Sequence, residues 1–166
     1  MLTSTLKNIS ELGFGSSDHV ADFGCGSGYF AIELSKILGP KGKVYAVDIR
    51  EEPLLKLAAL AQNEDRDNIA LILGDIEEPN GTHIKDRLLD GVVMSHVLPQ
   101  LSVRPKAIQE ANRILKPGGK LCVIEWEKKF NKESTKDLLL REGFAFSREF
   151  IIGEENYGLL YNKPLQ

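Results

Sequence analysis

Short apolar runs alternate along this chain with stretches in which apolar residues recur every three or four positions, from Val20 to about Arg141. The runs predict strands and the helical recurrence predicts their connections, the pattern of βα units around a mainly parallel sheet. Residues 19–23 form the first predicted strand, and a glycine-rich turn leads from it into a helix that Gly39-Pro40 stops. A second strand is predicted over 43–47 and a helix over 53–62, with Pro53 tolerated in the first turn. Residues 69–73 are continuously apolar, as suits a strand covered on both faces, and 88–94 supply the fourth strand. Ser102 is the expected N-cap of the next helix, where Val103, Ala107, Ile108, Ala111, Ile114 and Leu115 keep helical spacing. Lys116-Pro117-Gly118-Gly119 ends that helix, 120–126 is the fifth strand, and 132–141 a further helix.

The tail changes character. Residues 144–152 and 157–162 have strand patterns joined by only 153–156, too short for the crossover that a parallel pair needs, so they predict a hairpin. The expected fold class is therefore α/β: a doubly wound, mostly parallel, seven-stranded sheet with an antiparallel C-terminal strand, in a single domain over 1–166. At the other end, residues 4–12 predict a short amphipathic helix with Leu6, Ile9 and Leu12 near one face. Two roles are open to it, a mobile lid over a ligand cleft or a cap on the sheet.

Composition narrows the class. A chain of 166 residues, 42% hydrophobic and 27% charged, can bury one core. The formal net charge of -3 offers no field for nucleic acid or an anionic membrane, so a nucleic-acid partner is not expected. No apolar stretch approaches the roughly 20 residues that span a bilayer. Residues 1–14 lack a basic start followed by an apolar run, so no signal peptide is expected. Two cysteines, Cys25 and Cys122, sit in strand-like stretches and make no disulfide framework, which suits a reducing cytoplasm. Cytoplasmic localisation is the expectation. No cluster of Cys or His has metal-ligand spacing, so no metal is expected.

The informative segment is DFGCGSG, residues 22–28, between the first strand and the first helix. Gly24, Gly26 and Gly28 let the backbone turn sharply and approach a ligand with no Cβ in the way. A dinucleotide fingerprint has the spacing G-x-G-x-x-G, whereas here it is G-x-G-x-G, with Asp22 two positions before the first glycine. A carboxylate there suits an ammonium-bearing ligand and would repel a pyrophosphate. A phosphate loop of the G-K-[ST] type is absent as well. Asp48 ends the second strand, where a carboxylate can accept from two ribose hydroxyls. Asp75 follows the third strand in reach of an adenine amino group. Three carboxylates at three successive strand ends beside a glycine turn form the candidate site.

At this point the chain resembles the class I S-adenosylmethionine-dependent methyltransferases. DFGCGSG is similar to the family's first motif, VYAVDI (44–49) to its second, Gly74-Asp75 to its third and DGVVMSHVL (90–98) to its fourth-strand motif. RILKPGGKLCVIEW (113–126) resembles the fifth-strand region of the subgroup with the ubiquinone/menaquinone methyltransferases. The resemblance implies S-adenosylmethionine as cofactor, S-adenosylhomocysteine as product, and transfer of a methyl group to an acceptor that these motifs do not name. It also implies that Gly24, Gly26 and Gly28 lie against the methionine and ribose, and that Asp22 faces the amino group. Asp48 would hold the ribose hydroxyls, Ile49 would pack on the adenine, and Asp75 with Ile76 would meet the adenine edge. Ser95 would offer its backbone carbonyl to the ammonium.

Residues for the chemical step are fewer. His96 is the histidine at a strand end facing the expected cleft, a candidate for acceptor contact or proton transfer, against a packed loop histidine. Glu125 and Glu127 fall on one side of the fifth strand, opposite Trp126, and are expected at a solvated strand end. MSHVLPQ follows the fourth strand in place of an N-P-P-[YF] tetrad, which disfavours amino methylation of adenine or glutamine. Pro99 and Gln100 stand where related sequences carry paired histidines. Two other readings stay open: a non-catalytic S-adenosylmethionine-binding protein or partner subunit, and, against the glycine spacing, a nicotinamide-dependent oxidoreductase.

Overall fold

In the computed structural model, which describes residues 9–153 and 155–166, every predicted apolar run is a strand of one seven-stranded sheet. The strands are β1 (His19–Phe23), β2 (Lys43–Asp48), β3 (Ile69–Leu73), β4 (Leu89–Ser95), β5 (Leu115–Trp126), β6 (Ala145–Ile151) and β7 (Asn156–Asn162). The helices are α1 (Tyr29–Leu38), α2 (Glu51–Asn63), α3 (Arg104–Ile114) and α4 (Lys132–Arg141), with a 3-10 turn at Leu98–Gln100. The sheet order is β3-β2-β1-β4-β5-β7-β6, and β7 alone runs antiparallel to its neighbours. The chain works outward from β1 to β3, then returns to β4 on the other side of β1. That reversal opens a crevice at the carboxyl ends of β1 and β4, the place where such sheets bind ligands.

Two apolar layers sandwich the sheet. On one face, Ala31, Ile32, Leu34 and Leu38 of α1 and Leu54, Leu57 and Ala61 of α2 meet Val20, Val44 and Ala46. Ile9, Leu12 and Phe14 belong to the same layer, with Val93, Cys122 and Leu160. The N-terminal stretch thus covers the half of the face that α1 and α2 leave open, so Ile9 and Leu12 are core rather than lid. Leu6 lies outside the described residues. On the other face α3 and α4 pack beside the connection 74–88, which contains no helix. Glu110 of α3 holds that connection in place. Its carboxylate accepts from Asn80 N at 3.1 Å and from Thr82 N and Oγ1 at 3.2 and 2.7 Å, and it pairs with Arg113.

Three local expectations need correction. Ser102 is not an N-cap, because α3 begins at Arg104 and the orphan amides of Ser102 and Val103 donate to the Glu77 carboxylate instead. β5 begins at Leu115, earlier than residue 120, because Leu115 pairs with Leu89 while Gly118 and Gly119 bond to Lys163. The continuous apolar run of β3 is an edge strand with Leu71 and Leu73 exposed, since only the side toward β2 is paired. Both cysteines are buried and free. No helix among the described residues is long and apolar enough to cross a membrane.

Candidate functional site

The turn after β1 holds three residues in the left-handed region, Gly24 (φ 68°), Gly26 (φ 49°) and Gly28 (φ 80°), a conformation that side chains disfavour. The turn is tied to β2, with the amides of Gly24 and Cys25 donating to Val47 O at 2.8 and 3.0 Å. A Cβ on Gly24 would meet Val97 Cγ2 at 2.7 Å, and one on Gly28 would meet Leu57 Cδ1 at 2.5 Å. A Cβ on Gly26 would find only the Gly24 carbonyl oxygen, at 3.8 Å, and otherwise open space. The three glycines therefore serve different ends. Gly24 and Gly28 admit neighbours, and Gly26 keeps a cavity open.

Two cavities adjoin at this turn, sharing Gly24, Gly26 and Gln100. The first, of about 470 Å³, is lined by Asp48, Ile49, Asp75, Ile76, Val97 and Leu101 among others. Asp48 is buried, and its Oδ2 accepts the Gly26 N–H at 3.1 Å while Oδ1 accepts that of Arg50 at 2.9 Å. Each oxygen retains a lone pair for a further donor. Ile49 is 65% exposed at the rim, Ile76 is buried, and Asp75 Oδ1 accepts the Glu77 N–H at 2.8 Å.

The second cavity, of about 440 Å³, is lined by Asp22, Tyr29, Phe30, Ser95, His96, Trp126 and Asn156 among others. Asp22 is 2% exposed and its Oδ2 has no hydrogen-bond partner among the described residues. Burial pushes its carboxyl up to about 7, opposed by the Ala31 amide and assisted by the Asp48 charge. Burial, with the Asp22 and Asp48 charges, pushes the Cys25 thiol far above its ordinary range, so Cys25 is no nucleophile.

His96 stacks on Trp126 with ring centroids 3.8 Å apart. Its Nε2 lies 3.0 Å from Asn156 Oδ1 and its Nδ1 3.0 Å from Ser95 Oγ. With the Asn156 amide in this orientation, Nε2 carries the proton and Nδ1 accepts from the Ser95 hydroxyl. All ten residues singled out from the sequence thus lie at the glycine turn or line a cavity beside it.

Several lining residues escaped sequence reasoning. Tyr29 and Phe30 follow the glycine turn directly, and that adjacency was a usable signal. Val97 and Asn156 arrive by way of a strained turn and the terminal hairpin, which no local pattern announces, while Gln100 comes from the segment where related sequences carry paired histidines. Glu125 departs from expectation altogether. It is fully buried, whereas Glu127 is exposed as the strand-end reading requires.

A family model described as a methyltransferase domain matches residues 15–155. The chain belongs to that family. This methyltransferase domain is 30% identical over 125 residues to a demethylmenaquinone methyltransferase of Symbiobacterium thermophilum, covering 75% of this chain and 49% of that protein. It is 32% identical over 126 residues to a ubiquinone/menaquinone biosynthesis C-methyltransferase of Pseudomonas entomophila, covering 75% and 48%. The matched region therefore spans about half the length of these relatives. Among solved structures, a SAM dependent methyltransferase from Aquifex aeolicus superposes with a TM-score of 0.85 at 24% identity, over 94% of this chain and 87% of that one. That likeness is one of fold, and it is the doubly wound fold that the alternation of strands and helices predicts.

Proposed function

We propose that this methyltransferase domain acts as one unit, 1–166, that binds S-adenosylmethionine across the two cavities and methylates a small acceptor entering beside Asp22. The observation that carries this reading is the buried Asp22 with an unpartnered oxygen facing a cavity at the glycine turn. An ammonium group is what such an acid suits, since it supplies both the missing donor and the opposite charge. The remaining residues fit the same ligand. Asp48 keeps lone pairs for a ribose diol, and Gly26 leaves room for the ligand backbone. Ile49 and Ile76 offer apolar surface to a base, Asp75 accepts from its amino edge, and the Ser95 carbonyl shares the ammonium with Asp22.

When bound, the cofactor supplies a methyl group activated by its sulfonium. The protein's own contribution is alignment and proton control. Tyr29, Phe30 and Trp126 give the acceptor cavity aromatic walls suited to a planar ring. The names of the two relatives, both quinone methyltransferases, support an acceptor of that chemistry. His96, its ring fixed by Trp126 and Asn156, takes the acceptor's proton at Nδ1 as Ser95 Oγ receives it and passes on its own.

The test is calorimetric titration with S-adenosylhomocysteine, followed by transfer of labelled methyl from S-adenosylmethionine to a demethylated naphthoquinone supplied in its reduced, hydroquinone form, whose O–H proton the relay removes. Binding and label in the ring are expected, with His96→Ala keeping the binding and losing the transfer. A wild-type chain that binds no S-adenosylhomocysteine overturns the cofactor reading. Binding with no labelled ring overturns the acceptor assignment.

A further inference from the structure

Behind the wall shared by the two cavities lies a carboxylate that lines neither of them. Glu125, on β5, has no exposed surface. Its Oε1 accepts the Leu98 N–H at 3.0 Å, and the adjoining Val97 N–H favours the charged form of the carboxylate. Oε2 is buried without a partner among the described residues. Arg104 of α3 is the charge that acts on it, and Arg104 Nε donates to the Leu98 carbonyl at 2.8 Å. Leu98 is thus held by both its N–H and its C=O. Tyr157 is the cross-strand neighbour of Glu125 on β7, but its hydroxyl is engaged by Phe130 O at 2.9 Å and Thr135 Oγ1 at 2.7 Å.

The held segment matters because of what it touches. His96, just before it, has φ 57°, a conformation that persists only where the surroundings impose it. Val97 is buried and lies so close to the glycine turn that a Cβ on Gly24 would clash with it. Val97 and Gln100 both line the Asp48 cavity. A continuous path of contacts therefore runs from the Glu125 carboxylate through the Val97–Leu98 backbone to the Val97 side chain and the Gly24 turn.

The geometry points to Glu125 as a positioning residue: its carboxylate clamps the Val97–Leu98 backbone, and the clamped Val97 side chain sets the shape of the cavity that Asp48 lines. The ligand consequence rests on the reading of that cavity as the nucleoside end of the cofactor site. An ionised carboxylate is a much stronger acceptor than a protonated one. Burial pushes Glu125 up to about 7, opposed by the Leu98 and Val97 amides and the Arg104 charge, so the clamp loosens as pH falls through neutrality. By linkage, a nucleoside that binds the clamped form is held more weakly at about pH 6 than at about pH 8.

Adenosine is the probe, because it fills the Asp48 cavity without bringing an ammonium group to Asp22. Titration of the intact chain should show adenosine affinity falling about three- to tenfold between about pH 8 and about pH 6, the worth of one hydrogen bond. Glu125→Gln, which keeps an acceptor oxygen but has no proton to titrate, should bind adenosine more weakly at both pH values with that fall abolished. Hydrogen exchange reads the clamp with no ligand present. Protection at Val97 and Leu98, relative to β1 amides, should decline in the wild type as pH falls and stay low in Glu125→Gln. Adenosine affinity that is equal at both pH values, or protection at these two amides that ignores pH, overturns the inference, and both readouts need only the wild-type chain. If neither adenosine nor S-adenosylhomocysteine binds while the protection follows pH as expected, the cofactor reading fails and the clamp stands.

Discussion

Asp22 couples charge burial to binding at the scale of a single residue. Its folded-state carboxyl is raised to about 7, so the unfolded chain releases a proton that the folded chain keeps. The stability from this group is present below the ordinary carboxylate range and is lost as pH rises to about 7. Asp22→Asn, which removes the charge and keeps the shape, should stabilise the ligand-free protein by about 2–4 kcal/mol at about pH 8, read by denaturant unfolding. The same change should weaken S-adenosylhomocysteine binding at least tenfold, because the ammonium loses its counter-charge. Wild-type binding at about pH 6.5 should release about three-quarters of a proton, measurable in buffers of different ionisation enthalpy. Binding with no proton released would take the ammonium away from Asp22. Asp48 acts through hydrogen bonds instead. Asp48→Ala should weaken S-adenosylhomocysteine binding by about 1.5–3 kcal/mol, and unchanged affinity removes the ribose assignment.

Turns and helix ends decide more at the scale of elements than the helices do. The glycine turn is rigid because its amides are committed to Val47 and Asp48, which leaves its open side to a ligand. Gly26→Val meets no packed atom, so its cost is a left-handed β-branched residue, about 1–2 kcal/mol, and a side chain filling the cavity. The fold should survive, with normal circular dichroism, while thermal stabilisation by S-adenosylhomocysteine disappears. Wild-type stabilisation in that variant counts against the turn as the binding site. At the start of α3 the orphan amides of Ser102 and Val103 take Glu77 as their acceptor, a residue of the 74–88 connection. Since Glu77 and Ser102 both line the Asp48 cavity, the device that starts α3 also shapes the site.

The two apolar layers of the whole molecule are closed by different means. Helices α3 and α4 meet the helix-free connection on one face, while on the other α1 and α2 are completed by residues 9–14. Ile9 and Leu12 are each 1% exposed, Lys120 bonds to the Leu12 and Gly13 carbonyls, and Arg148 to that of Glu11. A segment tied to β5 and β6 in this way is part of the core. Leu12→Ala should therefore cost about 2–5 kcal/mol in denaturant unfolding, the usual loss for a buried leucine. A change under about 1 kcal/mol, with faster release of S-adenosylhomocysteine, would restore the lid.

What the sequence determined by itself is whatever local chemistry settles. Alternating apolar periods gave the strand count, and the short 153–156 connection required the reversed last strand. DFGCGSG announced a left-handed turn because glycine alone adopts three such conformations cheaply. Asp22, Asp48 and Asp75 were legible because strand ends in a doubly wound sheet converge on one crevice. Tertiary structure decided whatever depends on partners distant in the chain. Glu125 sits at a strand end that sequence reads as solvated, and only the loop folding over it buries the carboxylate. Ser102 has the right chemistry for a cap, yet α3 starts at Arg104 with Val103 at the cap position, and Glu77, 25 residues before Ser102, takes the amides of Ser102 and Val103. β3 is as apolar as a central strand, and sheet order alone makes it an edge. In each case residue type set what a group could do, and burial, which is a property of the whole chain, set what it does.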